Sequence, residues 1–78
     1  MSTILFFAQV KEATGVSKME LHVSTVEQAI AETTDKFGSD FSKVLETSQI
    51  WLNGKPCSLQ DSVQNADEIA IIPPVSGG

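Results

Sequence analysis

The chain has 78 residues, of which 41% are hydrophobic and 19% charged, an ordinary globular mixture with material for one domain around one thin core. Ten acidic side chains stand against five lysines and no arginine, a formal charge of −5. That balance excludes a nucleic-acid-binding face, disfavours anionic membranes, and suits docking onto a basic protein surface.

The segment Thr3-Ile4-Leu5-Phe6-Phe7-Ala8-Gln9 predicts a first strand, with Ile4, Phe6 and Ala8 on one face and Leu5, Phe7 and Gln9 on the other. A loop over Val10–Ser17, with a short helical turn at Lys11–Thr14, leads to Lys18–Val23. There Met19, Leu21 and Val23 alternate with Lys18, Glu20 and His22 as in a half-buried strand paired antiparallel with the first. The period then changes. Ser24-Thr25-Val26-Glu27 has the form of a capping box, and Val26, Ala29, Ile30, Thr33 and Phe37 make a helical stripe that ends at a left-handed Gly38 cap. Asp40–Leu45 predicts a short further helix, and Gln49–Leu52 a strand closed by the turn pair Asn53-Gly54. Lys55–Ala66 reads as irregular. Glu68–Ile72, apolar on both faces as a central strand beside the first would be, ends at Pro73-Pro74 because proline cannot donate to a ladder. The expected fold class is α+β: one mixed sheet clasping one main helix, the β-grasp arrangement, over residues 1–74, with residues 75–78 as a flexible tail ending in Gly-Gly.

Side chains suited to built-in chemistry are sparse. His22 stands alone on an outward strand position, with no second histidine for a metal site, and no metal is expected. Cys57 cannot form an internal disulfide, which fits a reducing, cytoplasmic compartment, and neither adjacent residue, Pro56 or Ser58, is a cation that would lower its pKa. No apolar stretch is long enough to span a membrane, and no basic n-region marks a secretory signal. Asp61-Ser62-Val63 has the look of a phosphopantetheine attachment site, but such carriers are helical bundles, and here the motif precedes a strand-like run.

The tail carries the functional signal. A terminal glycine carboxyl has no Cβ beside it, so Gly78 is open to an enzyme from any side, and Gly77 passes a channel too narrow for bulkier residues. Pro73-Pro74 stiffens the exit and lowers the entropy lost on insertion. The residues from Pro74 onward reach about 17 Å when extended, enough to enter a partner's active site while the globule stays outside.

Leu5-Phe6-Phe7-Ala8-Gln9-Val10, Thr25-Val26-Glu27-Gln28-Ala29, Asn53-Gly54 and the ending Asp67-Glu68-Ile69-Ala70-Ile71-Ile72-Pro73-Pro74-Val75-Ser76-Gly77-Gly78 together resemble the sulfur-carrier small subunits of molybdopterin synthase, in the ubiquitin-like β-grasp superfamily. Pro-Pro-Val-Ser-Gly-Gly is the most specific stretch. Ile71-Ile72 and Trp51 depart mildly from the family pattern. The resemblance implies a protein that is not an enzyme by itself and binds no cofactor stably. A ubiquitin-activating-type adenylyltransferase would consume ATP to join AMP to the Gly78 carboxyl. A persulfide donor would convert that adenylate to a thiocarboxylate. The large synthase subunit, in a heterotetramer of two small and two large subunits, would use the sulfur to turn cyclic pyranopterin monophosphate into molybdopterin. A carrier serving thiamine or tRNA thiolation, and a ubiquitin-like modifier of lysines, are the competing readings.

Strand phase adds a docking face. With Ile4 and Phe6 inward, Phe7, Trp51 and Ile72 point to the side of the sheet that the helix leaves bare, with Pro56 at the rim. Clustered apolar surface of that kind marks an interface. Together with Pro74, Val75 and Ser76 of the tail, these residues are expected to meet both the synthase large subunit and the activating enzyme.

Overall fold

The computed structural model describes residues 1–74. The expectations for Val75, Ser76, Gly77 and Gly78 therefore lie outside the described residues.

Alternation of apolar side chains builds β1 (Ser2–Phe6), which buries Ser2, Ile4 and Phe6. Strand β2 (Lys18–Leu21) pairs antiparallel with it, Ile4 opposite Met19. Between them lies a helix, α1 (Ala8–Thr14), closed by a left-handed Gly15 at φ 81. The first strand is thus shorter than its composition predicts. Ala8 takes φ 47, which turns the chain out of the sheet. Ala8 is exposed rather than in the core, and Val10, expected to open a loop, is fully buried on α1.

Helix α2 (Val26–Phe37) starts one residue later than the capping pattern predicts. Thr25, not Ser24, is the N-cap: its hydroxyl accepts the Gln28 N–H at 3.2 Å, while Gln28 Oε1 accepts the Ser24 N–H at 2.7 Å. Gln28 thus takes the part expected of Glu27, although its side chain reaches back to the N–H of Ser24, one residue before the N-cap, rather than to that of the cap itself. Two further N-terminal N–H groups, of Val26 and Glu27, donate to the carbonyls of Asp61 and Leu59, each at 3.0 Å. The loop before β5 thereby satisfies donors that a helix start leaves unpaired. It is pinned there by a bridge between Thr25 and Ser62 and by Val63 N–H donating to Ser24 O at 2.8 Å, which buries Val63. Gly38 ends α2 at φ 83, ψ −156, not in the left-handed helical region but in one reserved almost wholly for glycine. It also starts α3 (Ser39–Thr47), whose Phe41 is fully buried.

Strand β3 (Gln49–Leu52) turns at Asn53-Gly54, with φ of 52 and 81, into β4 (Lys55–Pro56). Positive φ at both central positions is what a two-residue hairpin of type I′ requires. The short β4 was not expected, since Pro56 cannot extend a ladder; it is tolerated here because β4 is an edge. Last comes β5 (Glu68–Ile72). The five strands lie in the order β2-β1-β5-β3-β4, with β5 parallel to β1 and antiparallel to β3. The core sits between this mixed sheet and the helices. Ile4, Phe6, Leu21, Ile69 and Ile71 come from the sheet, Val10, Val26, Ala29 and Phe41 from the helices, and Val63 from the loop. Met19, Val23, Ile30, Phe37, Ile50 and Leu52 pack around them, half-buried. No helix among the described residues is long and apolar enough to cross a membrane.

Candidate functional site

The C-terminal end of β5 is where the fold delivers the tail. β5 is flanked by a strand on each side, and its pairing with β3 continues to Ile72 opposite Gln49. Ile69 and Ile71 are fully buried, and Pro73 is buried as well. Pro74 is exposed and lines a groove with Gln9 of α1 and Lys43, Val44 and Thr47 of α3. The last described residue thus leaves from the most constrained strand of the sheet.

Beside that exit is the bare face of the sheet. Residues paired across a ladder point to the same face, so the register can be followed strand by strand. Lys18 pairs with Leu5, Leu5 with Ala70, Ala70 with Trp51, and Trp51 with Pro56. One row across all five strands therefore runs Lys18, Leu5, Ala70, Trp51, Pro56. One step toward the tail, Ile72 faces Gln49. Phe7 follows Phe6, whose partner is Ile71, and keeps extended backbone at φ −117, ψ 148, so it continues the phase of Leu5 at the level of Ile72. It is 45% exposed, among the most exposed large apolar side chains. Trp51 Nε1 donates to Gln49 Oε1 at 3.0 Å. This ties the indole to its neighbour two residues away on the same face and leaves the ring half-covered.

The register thus brings Phe7, Trp51, Pro56 and Ile72 to one side of one sheet. It also places Leu5 and Ala70, which the same strand phase turns to that side, between them. Period-two phase marks both as outward. Only the order of strands shows that they are what joins Phe7 and Ile72 to Trp51.

The remaining candidates lie elsewhere. His22 is exposed just after β2. Cys57 is half-buried with Sγ 3.4 Å from Ile50 O, and its thiol pKa is raised, first by burial and then by the Asp61 carboxylate. That is the opposite of an activated thiol. Ser62 sits in the bridge to Thr25 rather than at a helix start, and the surrounding fold is not a helical bundle. Among the described residues no group of three or more His, Cys, Asp or Glu is placed to hold a metal ion.

The sequence matches the ThiS family over residues 4–78. It is 35% identical over 81 residues, covering all of both chains, to a protein of Haemophilus influenzae named molybdopterin synthase sulfur carrier subunit. The solution structure of small archaeal modifier protein 1 from Methanosarcina acetivorans superposes with a TM-score of 0.87 at 26% identity, covering 99% of this chain and 95% of that one. A chain in the complex of subunits 1 and 2 of molybdopterin-converting factor from Helicobacter pylori superposes with a TM-score of 0.78 at 22% identity, covering 99% and 97%. The fold they share with this chain is the ubiquitin-like β-grasp.

Proposed function

The chain belongs to the ThiS family, and from that premise we propose that it is the sulfur carrier of a molybdopterin synthase, a co-substrate whose reactive group is the Gly78 carboxyl. The observation that carries this reading is the whole-length similarity to a curated carrier subunit of that name. The root of the tail supports it, because β5 holds Pro73 and Pro74 where a following segment can reach into a partner.

A carboxylate is a poor acyl donor, since its oxygen is a poor leaving group. Attack of the Gly78 carboxylate on the α-phosphorus of ATP, in a ubiquitin-activating-type adenylyltransferase, expels pyrophosphate and leaves an acyl adenylate. The terminal sulfur of a persulfide donor attacks that carbonyl and AMP departs. A second thiol cleaves the resulting acyl disulfide, forming a disulfide with the donor and leaving the thiocarboxylate. The synthase large subunit then takes the tail and passes the sulfur to cyclic pyranopterin monophosphate, and the carrier returns as a carboxylate. Two loaded carriers serve each dithiolene, which matches an assembly of two small and two large subunits. Gly77 provides clearance. Val75 and Ser76 follow Pro74 into the channel, and Phe7, Trp51, Pro56 and Ile72 grip the enzyme surface outside it. The activating enzyme uses the same face at another time, so the two partners exclude one another. The cycle belongs in the cytoplasm.

Intact mass of the chain purified from its native cells tests this directly. Exchange of one oxygen for sulfur, mapped to the C-terminal peptide and absent when Gly78 is deleted, is the expected result. An unmodified C-terminus under conditions of active cofactor synthesis would sink the proposal. The similarity to a protein named as a modifier favours one second reading, conjugation of Gly78 to lysines. It predicts isopeptide-linked adducts in extract instead of a free thiocarboxylate.

A further inference from the structure

Charge is sorted along the sheet. β1 and β5 run parallel, so the C-terminal ends of both lie at the tail's exit and their N-terminal ends lie opposite. Among the described residues, grooves open at the exit end on both sides of the sheet's edge with the helices. One is formed around Phe7 and is lined by Lys11 and Lys18; another holds Pro74 and is lined by Lys43 with Gln9 and Thr47. Neither lining includes an acidic residue. The groove beside Met1, away from the exit, is lined by Glu20 and Glu32 as well as Lys36. Glu68, at the start of β5, and Asp67 before it also lie away from the exit. Glu12 and Glu46 share helices with Lys11 and Lys43 but line neither exit groove. In a chain with only five lysines and a net charge of −5, three of the five therefore line grooves at the exit end of the sheet, Lys43 beside Pro74 itself and Lys11 and Lys18 at the end of the neighbouring strand β1.

We propose that Lys11, Lys18 and Lys43 form a basic collar around the tail's exit, and that it fits a protein partner whose pocket mouth is rimmed with carboxylates. This rests on the reading that the tail enters a partner's active site. A pocket that takes the four residues after Pro74 must bring its rim within about 14 Å of Pro74, the reach of an extended segment of that length. The rim then faces the two exit grooves. A carboxylate there meets an ammonium from Lys43 on the helix side of the tail or from Lys11 and Lys18 on the Phe7 side. Lysine suits a wet rim contact of this kind, being a flexible, strongly hydrated point charge. The acidic remainder of the chain is repelled by the same rim. The carrier is thereby turned tail-first during encounter, an effect on association rate more than on final affinity. The overall acidity, which by itself suits a basic partner surface, is thus misleading about the end that docks.

Two double charge reversals on the full-length chain test the collar at equal net charge: Lys11→Glu with Lys43→Glu, and Lys36→Glu with Lys55→Glu. All four lysines are exposed, and circular dichroism and thermal midpoint verify that each variant folds. The association rate constant with purified synthase large subunit is measured across a range of sodium chloride concentrations. The expected result is a fall of roughly ten-fold for the exit pair at low ionic strength, fading as salt screens it, with a much smaller change for the distal pair. Equal slowing by both pairs would mean that only net charge matters. An unchanged or faster rate for the exit pair would mean that the rim is neutral or basic. Either result overturns the collar while the sulfur-carrier reading stands. Failure of the unaltered chain to bind the large subunit at all would instead overturn the proposed function, and the collar with it.

Discussion

The ring of Phe41 stands edge-on to that of Phe6, with centroids 5.9 Å apart and planes at 84°. Phe37 completes the cluster, 5.6 Å from Phe6 and 5.7 Å from Phe41. Strand β1 is thus anchored to both α2 and α3 through one aromatic cluster. Phe41→Ala removes a fully buried ring and is expected to cost about 3–5 kcal/mol, a large share of the ~5–15 kcal/mol typical of such a domain. Phe6→Ala should cost a similar amount, and the double variant less than the sum, because the two rings share a contact. Urea midpoints measure all three. A Phe41→Ala chain as stable as the parent would remove α3 from the core.

Trp51 reports on the bare sheet face. It is the only tryptophan, and there is no tyrosine, so its emission is a clean probe against a tryptophan-free partner. Binding of the synthase large subunit should shift the emission to the blue as water leaves the indole. Phe7→Ala and Ile72→Ala should each weaken binding by roughly 1–2 kcal/mol, the range for a contributing interface residue. Saturable binding without a spectral shift, combined with unaltered affinity in both variants, would move the interface away from this face.

Asp67 predicts a pH dependence. Its carboxylate accepts the Gln64 N–H at 2.8 Å and the Asn53 side-chain N–H at 3.0 Å, and these bonds, the first above all, hold its pKa below the usual carboxylate value. The folded state therefore favours the ionised form. The stabilisation is fully present above the unfolded value of about 3.9 and is lost as pH falls through the lower folded value. Urea midpoints measured on acidification below about pH 4 should fall more steeply for the parent than for Asp67→Asn. Parallel curves would show that the Asn53–Asp67 contact contributes nothing to folding.

Cys57 should be a slow nucleophile. Burial and the Asp61 carboxylate both disfavour its thiolate. Iodoacetamide should modify the native chain several-fold more slowly than the urea-unfolded chain at the same pH, and Asp61→Asn should narrow the gap. Equal rates in the native and unfolded states would contradict the half-buried position of the thiol.

Several of these features are legible along the chain because they are local. Alternation marks β2, short apolar runs mark β1 and β5, the 3.6-residue stripe marks α2, and Asn53-Gly54 marks the hairpin, since each pattern reflects the geometry of a few consecutive residues. The same short range sets the limit. Ala8 continues the apolar run of β1, and only its positive φ, held by the docking of α1 with Val10 in the core, ends the strand at Phe6. Val63 looks like a loop residue until backbone bonds from Val26 N–H to the Asp61 carbonyl and from Val63 N–H to the Ser24 carbonyl fasten its segment to the start of α2. Phe41 lies on a short helix whose burial depends on contact with Phe6, far away in sequence. The candidate site divides along the same line. The glycine tail and the outward phase of Phe7, Trp51 and Ile72 can be read residue by residue. That Leu5 and Ala70 join them into one row, and that Lys11, Lys18 and Lys43 gather at the exit, depends on β5 inserting between β1 and β3. The two-faced apolar run of β5 marks it as a central strand beside β1, but its register against both neighbours is a long-range pairing fixed by the burial of Ile69 and Ile71, which no window of neighbouring residues encodes.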